Sequence, residues 1–518
     1  MTPSHSPAAP GPGRGGIRRL LIANRGEIAV RIIRACRELA IETVAVYSDA
    51  DAEAPHVRAA DHAVWLGPAP ARDSYLDGAK VVAAALAAGA DAVHPGYGFL
   101  SERPHFAQAC EAAGLIFVGP PASSLERMGS KIGARRLMVA AGVPVVPGEA
   151  PADQSDASLQ AAIARVGLPA LIKPSAGGGG IGMKIVRTAA EAGNALAAAR
   201  REAQASFGDS TIYVERLIER PRHVEIQIFA DHHGRIVHLF ERECSAQRRH
   251  QKMVEESPCP ALAPSVRHAM GVAAVAAARA VGYRNAGTCE FLLEGEGDSA
   301  RFYFLEMNTR LQVEHPVTEC VVGVDLVRAQ LLVAGGEPLP FTQDSLTQRG
   351  HAIECRIYAE DPAQGFIPQA GPILLYREPQ GPGIRVDSGI TTGTTVSVYY
   401  DPMLAKLIVW GETREAARRK ALAALRDFAV LGIRTNIPFL LQLLAHEQFV
   451  AAQIDTGFLD REGAALAAAS VTELPAAALA AAAEHRRSGG PASLGQSSSA
   501  SSGAVNTDPF VSLGGWRG

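Results

Sequence analysis

Residues 17–118 alternate between short apolar runs and segments of helical period, and no other property of the chain restricts its fold as strongly. Residues 17–23 (IRRLLIA) read as a strand and NRGE as a loop, and Ile28, Ile32, Cys36 and Leu39 then recur at helical spacing. Residues 43–47 form a second strand. Residues 63–66, a helix over 74–88, residues 92–94, a helix near 104–113 and residues 116–118 continue the pattern. Strands separated by helices return in the same direction, so the alternation predicts a parallel α/β domain over 17–125. A helix over 130–141 then leads through the linker VPVVPG (143–148) into a small α/β unit, in which a Gly-rich loop separates strands at 170–173 and 183–186. From Val224 to about residue 460, strands mix with long helices. The Ala-rich stretch after 461 reads as helix, and 487–506 reads as a Ser/Gly-rich linker.

The charge pattern narrows the function. Fifty basic and 53 acidic residues leave a formal net charge of −3, which argues against a nucleic-acid partner. Only seven of the 50 basic residues are lysines (80, 131, 173, 184, 252, 406 and 420), so the surviving lysines are candidates for roles that arginine does not fill. The seven cysteines contain no CxxC pair, which excludes a zinc site of that type and suggests a reducing compartment. No apolar run reaches membrane-spanning length, and the Pro/Gly-rich start has no signal-peptide core, so a cytoplasmic location is expected.

Four segments carry chemistry. Gly177–Gly180 and Gly182 lie between two apolar strands, and Lys173 precedes them. No Gly-Lys pair follows, as a Walker loop requires, and the next element is a strand rather than the helix of a dinucleotide fingerprint. The segment reads as a hairpin flap over phosphates, or else as a plain surface hairpin. Glu290 and Glu306 each sit in an apolar strand of one hairpin. Two buried carboxylates side by side repel unless a cation lies between them, which suits Mg²⁺ on ATP phosphates. Glu306, Asn308, Arg310, Gln312 and Glu314 fall at every second position, which predicts one polar face of an extended strand that stops at His315-Pro316. Residues 241–257 (ERECSAQRRHQKMVEES) carry four positive and four negative charges and read either as a solvated loop or as part of a site. Glu215, His223 and Arg356 are weaker candidates on their own.

Taken together, these segments resemble the biotin carboxylase component of biotin-dependent carboxylases, an ATP-grasp family. The resemblance rests on IANRGEIAVRIIRACRELAIETVAVYSDAD near the start, HPGYGFLSE (94–102), VPVVPG, PRHVEIQ (221–227), ERECSAQRRHQKMVEESP (241–258), FLEMNTRLQVEHPVTE (304–319) and GHAIECRIYAEDP (350–362). It implies a three-part fold of α/β and α+β type. Its three parts are a Rossmann-like parallel domain (17–125), an ATP-grasp lid (150–218) and a larger α+β domain (219–460), with a disordered arm (1–16), a linker helix (126–149) and a tail (461–518) besides.

The implied activity is carboxylation of biotin on a carrier protein with ATP, bicarbonate and Mg²⁺ or Mn²⁺. Lys131, Lys173, Gly179 and Gly180 would contact the ATP phosphates. Glu215, Arg216, Leu217 and Ile218 would hold adenine, and His223 and His250 the ribose side. Glu290, Glu306 and Asn308 would form the metal site, with the two carboxylates also facing ATP. Lys252, Arg310, Gln312 and Val313 would form the bicarbonate pocket, Glu314 would be the base, and Arg356 with Tyr97 would meet biotin. The resemblance further implies a homodimer and separate carrier and carboxyltransferase chains. No lysine after Lys420 is available to carry biotin, and the final DPFVSLGGWRG resembles the lead-in to the next domain of longer α-subunits.

The loop departs from the family at Ala176 and Ile181, the latter in place of a basic residue that Lys184 could replace, and Arg216 stands for a common Lys. Two other readings are a different ATP-grasp ligase, of the carbamoyl-phosphate or carboxylate–amine type, and a nucleotide-binding scaffold without turnover.

Overall fold

A computed structural model describes residues 16–177 and 180–470. The expectations for the N-terminal arm, for Gly179 and for most of the tail lie outside the described residues. The first domain is a five-stranded parallel sheet in the order His62–Gly67, Glu42–Ser48, Arg19–Ile22, Ala92–His94, Ile116–Phe117. Helix Gly26–Glu38 covers it with a stripe of Ile28, Ile32, Ile33 and Cys36, all buried, and each such isoleucine contributes about 1.5–3 kcal/mol. The strand order reverses between Arg19–Ile22 and Ala92–His94, and loops at such a switch point form a crevice. Here the loops are tied together by Asn24, whose Nδ2 donates to the carbonyls of Pro95 (2.8 Å) and Tyr97 (2.7 Å).

The linker region holds two helices, Ala122–Met128 and Lys131–Ala140. The VPVVPG segment is held in place: Val145 forms a parallel bridge to Phe304, and the Phe304 N–H donates to the Pro144 carbonyl at 2.7 Å. Gly148–Glu149 already belongs to the sheet of the small unit, whose order is Gly148–Glu149, Ile212–Arg216, Ala170–Pro174, Lys184–Val186, all antiparallel. Helices Asp156–Val166 and Ala192–Phe207 close its separate core of Leu159, Ile163, Ile172, Leu196 and Val214.

The larger part is built on an eight-stranded sheet ordered Arg301–Asn308, Asn285–Glu294, Arg222–Ala230, Ile236–Arg248, Gln251–Ser257, His351–Tyr358, Met403–Gly411, Ile384–Ser388. Two expectations are corrected here. Residues 241–257 are not a solvated loop but the core of two central strands in which Glu241, Arg242, Glu243, Glu255 and Glu256 are all buried. The strand carrying Glu306 stops at Asn308 instead of running to Glu314. The next N–H, that of Thr309, is taken at 3.0 Å by Glu102 of the first domain, which draws the chain off the sheet edge. Glu314 becomes the N-cap of helix His315–Val322, and Pro316 sits in that helix's first turn, where a missing N–H costs nothing. Helices Arg414–Asp427, Ile437–Ala445 and Phe458–Ala469 cover the sheet through Leu425, Phe439, Leu440 and Phe458. No helix among the described residues is long and apolar enough to cross a membrane.

Candidate active site

One cavity of about 840 Å³ runs between the small unit and the large sheet. It is lined by Lys131, Lys173, Gly180, Glu215, Arg216, Leu217, Ile218, His223, His250, Lys252, Glu290, Glu306, Asn308, Arg310, Gln312, Val313 and Arg356. The structure therefore brings together nearly every residue expected at the site. Glu314 lies just behind the wall. Tyr97 does not line the cavity, because its hydroxyl donates to Glu27 instead.

At one end, Glu215 on Ile212–Arg216 is shared by Lys173 (3.0 Å) and Arg135 (2.9 Å). Burial disfavours the Lys173 ammonium, but Glu215 and Tyr213 outweigh it and hold the proton firmly. Lys131 has no carboxylate within salt-bridge distance among the described residues, and burial together with Lys173 lowers its proton affinity. It is a half-buried cation without an anion. Arg216 forks onto Glu294 at 3.0 and 2.8 Å and reaches the Tyr303 hydroxyl, so its side chain braces the small unit against the large sheet. Gly180 (φ +76°) comes so close over this end that a Cβ there would meet the His250 ring at 2.3 Å, and its positive φ favours glycine. Lys184 is bound to Glu202 at 2.6 Å and does not line the cavity, so it does not stand in for the basic residue absent at Ile181.

At the other end, strand register places Arg242, Glu225, Glu290 and Glu306 abreast across four strands. Directly opposed residues of antiparallel strands share a face, so three carboxylates line up beside one guanidinium. Lys252 neutralises part of the row, reaching Glu225 (2.6 Å), Glu290 (2.9 Å) and Glu314 (2.6 Å). His223 Nε2 lies 3.0 Å from Glu290, and Gln312 Nε2 donates to it at 3.2 Å. Burial pushes the Glu290 carboxyl up, but Lys252 and His223 hold it well below the usual carboxylate range. Among the described residues Glu306 has no such partner, and burial and Glu290 raise its proton affinity.

Two facing carboxylates, one of them uncompensated, fit a divalent cation. Asn308 gives its Oδ1 to Arg310 and leaves Nδ2 buried without a partner, so the carboxylates carry that fit. Arg310 is fixed by Glu102 (3.2 Å) and by the Gln312 carbonyl oxygen of the amide (3.0 Å). Glu314 is gripped by Lys252 on one oxygen and by Arg356 on the other at 2.9 Å, and Arg356 Nε donates to Glu255 at 2.6 Å. Burial works against the Glu314 anion, yet Lys252, Arg356 and Arg242 hold it well below its ordinary range.

Glu225, Glu255, Glu102 and Arg242 lie in segments that the sequence singles out, but the sequence assigns none of them a role, although PRHVEIQ does show His223, Glu225 and Gln227 at period two.

Comparison with known proteins agrees with this geometry. Residues 16–125 match the family model for the biotin carboxylase N-terminal domain and 354–461 that for its C-terminal domain. Residues 130–342 match the ATP-binding domain of the carbamoyl-phosphate synthase L chain. Biotin carboxylase 1 of Bacillus subtilis is 50% identical over 444 residues, covering 86% of this chain and 98% of that protein. The mitochondrial methylcrotonoyl-CoA carboxylase subunit alpha of Glycine max is 53% identical over 447 residues, but the chain spans only 61% of its length. Among solved structures, a biotin carboxylase–β,γ-ATP complex from Campylobacter jejuni superposes with a TM-score of 0.83 at 41% identity, covering 86% of this chain and 99% of that one. The biotin carboxylase domain dimer of Hydrogenobacter thermophilus 2-oxoglutarate carboxylase, in complex with MgADP, ADP and bicarbonate, gives 0.82 at 42%, covering 87% and 98%. The flanking models distinguish this chain from a carbamoyl-phosphate synthase, and the near-complete coverage of a curated enzyme settles the class: the chain belongs to the biotin carboxylase family of ATP-grasp carbon–nitrogen ligases.

Proposed function

We propose that the cavity carries out biotin carboxylation with its two ends divided by task. Lys131, Lys173 and the Gly-rich flap receive the triphosphate, and the Glu215–Ile218 segment and the two histidines receive the nucleoside. Glu290 and Glu306 would hold Mg²⁺ or Mn²⁺, which when bound offsets phosphate charge. Bicarbonate sits among Lys252, Arg310, Gln312 and the Val313 backbone. It loses its proton to Glu314 and attacks the γ-phosphorus, so that a carboxyphosphate forms as the bond to ADP breaks.

Glu314 is a weak base while Lys252 and Arg356 hold it. The same cations stabilise the doubly charged carbonate, so the transfer is eased at the acid as much as at the base. Carboxyphosphate then splits into CO₂ and phosphate. The phosphate removes the ureido N–H of biotin, and the nitrogen adds to CO₂. Arg356, permanently charged and fixed by Glu255, stabilises the enolate-like oxygen that appears in between.

The carrier, the carboxyltransferase, a homodimer and a cytoplasmic setting complete this reading. The carrier, the carboxyltransferase and the homodimer are supported by the sequence likeness to carboxylase subunits and by the dimer among the structural relatives. The observation that carries the reading is Glu314 held between Lys252 and Arg356, two cations that line the same cavity as the two phosphate lysines. ATP hydrolysis measured with and without bicarbonate and free biotin tests it. Bicarbonate dependence with stimulation by biotin is expected, and a folded sample indifferent to both would overturn it.

A further inference from the structure

One lysine of the seven has no part in the reading above yet is entirely buried. Lys406 lies on Met403–Gly411, abreast of Arg356 on one neighbouring strand and Asp387 on the other. Its Nζ donates to the Val313 carbonyl at 2.9 Å and lies 3.3 Å from Glu27 and 3.8 Å from Asp387. Glu27 belongs to the first turn of the first domain's leading helix, and it accepts the Tyr97 hydroxyl. That helix end rests on the large domain so closely that a Cβ on Gly389 would lie 2.6 Å from the Glu27 nitrogen.

Each carboxylate within salt-bridge distance of Lys406 has a second partner: Asp387 is forked by Arg385 at 3.0 and 2.7 Å, and Glu27 has Tyr97, while the buried Glu354 carboxyl, which lies farther off, has no hydrogen-bond partner among the described residues. The Val313 carbonyl has only Lys406 among the described residues. The turn 309–314 has left the sheet, so its carbonyls lose their ladder partners; the N–H groups of His315 and Val317 reach Gln312 and Glu314, and side chains serve others. Arg310 serves Leu311 at 3.2 Å, the His315 ring lies 2.8 Å from the Gln312 oxygen, and Lys406 serves Val313.

We propose that Lys406 is a positioning residue: from behind the site it sets the Val313–Glu314 turn of the bicarbonate pocket and, through Glu27, the Tyr97 hydroxyl of the switch-point loop. The inference rests on the function proposed above. One buried ammonium thereby registers two domains against each other at the point where bicarbonate and biotin must meet. The nucleotide end shares no side chain with this linkage.

The experiment uses the full chain as Glu27→Gln, Lys406→Met and the double variant. Each is scored for its unfolding midpoint, for ATP affinity by calorimetry and for biotin-stimulated ATP hydrolysis. Lys406→Met alone should lower the midpoint by leaving Glu27 buried without its ammonium. The double variant should recover the midpoint but not the rate. We expect kcat lower by ~10²-fold, the size of effect that an ångström-scale misplacement produces. The bicarbonate KM should rise, and ATP affinity should stay within about twofold of wild type, an error-sized change. Glu27→Gln alone keeps the Lys406–Val313 hydrogen bond and should shift the bicarbonate KM less than Lys406→Met does.

A double variant with wild-type midpoint, kcat and bicarbonate KM would make Lys406 a mere counter-ion and overturn the proposal. Loss of the folded state in the double variant overturns it too, since Lys406 would then be needed for folding. Wild-type protein that ignores biotin instead overturns the reading on which the proposal rests.

Discussion

The two ends of the cavity handle charge differently, although the nucleotide end also holds one buried pair, Lys173 on Glu215. At the nucleotide end Lys131 stands without a carboxylate, and the cover is a glycine loop pressed on His250. At the other end every cation is already wrapped: three carboxylates on Lys252, two on Arg356 and one on Arg310. A polyanion such as a triphosphate brings enough charge to recruit an uncommitted lysine. A monoanion such as bicarbonate brings little, and an acyl phosphate survives only if nothing reorganises around it. Prepaired charges on neighbouring strands supply that rigidity, because they are aimed before the substrate arrives.

The largest expected effect follows from removing the central cation of the wrapped end. Lys252→Met leaves Glu225, Glu290 and Glu314 buried together, and breaking a buried charge cluster typically costs about 3–5 kcal/mol. Denaturant unfolding should show a loss of that size. A midpoint unchanged from wild type would mean that the carboxylates are solvated and that the two ends are alike after all.

Acid sharpens the same contrast. Glu256 is buried between His351 (2.7 Å) and Arg414 (2.6 Å). Burial raises its carboxyl, but these partners win and lower it from 4.5 to about 2. A depressed folded value means stability present above 4.5 and lost as pH falls from there towards 2, worth about 3 kcal/mol. The gap in unfolding free energy between wild type and Glu256→Gln should therefore close across that window. A gap independent of pH would remove the carboxylate from the account.

The open end predicts the converse. Lys131→Ala should change stability by no more than about 0.5 kcal/mol, since it breaks no ion pair. The same substitution should weaken ATP binding by about 1.5–3 kcal/mol, the worth of a charged hydrogen bond. Calorimetry alongside thermal unfolding separates the two quantities. A stability loss equal to that of Lys252→Met would erase the difference between the ends.

How much of this was legible in the sequence depended on whether the signal was local. The parallel domain was read strand by strand, because its alternation lies in consecutive residues. Ala92–His94 coincides with its expected span, and the other four strands of that sheet differ by one or two residues at an end. The Glu290–Glu306 pair was legible because one hairpin holds both. The row joining them to Glu225 and Arg242 was not, because strands 60 residues apart in sequence are placed side by side only by the fold. The alternation from Glu306 to Glu314 pointed to the right residues through the wrong geometry. Asn308, Arg310 and Gln312 do converge, through hydrogen bonds in a turn rather than along a strand, because Glu102 captures the Thr309 N–H from another domain.

The smallest effect concerns the flap. Ile181 is 48% exposed and supplies no charge on the flap, and Lys184 is the nearest lysine in sequence that could supply one. The structure commits Lys184 to Glu202 in a pair whose side chains are 34% and 42% exposed, so the pair is worth about 0.5 kcal/mol or less. Lys184→Ala should accordingly leave both stability and ATP KM within about twofold of wild type. Ile181→Arg places a cation on the flap without disturbing any buried contact, and at an exposed position an added charge near phosphates should lower ATP KM by about two- to fivefold at low salt, fading as salt screens it. If Lys184→Ala raised ATP KM tenfold, the flap lysine would be working on the nucleotide after all, and the open end would rest on Lys184 as well as on Lys131.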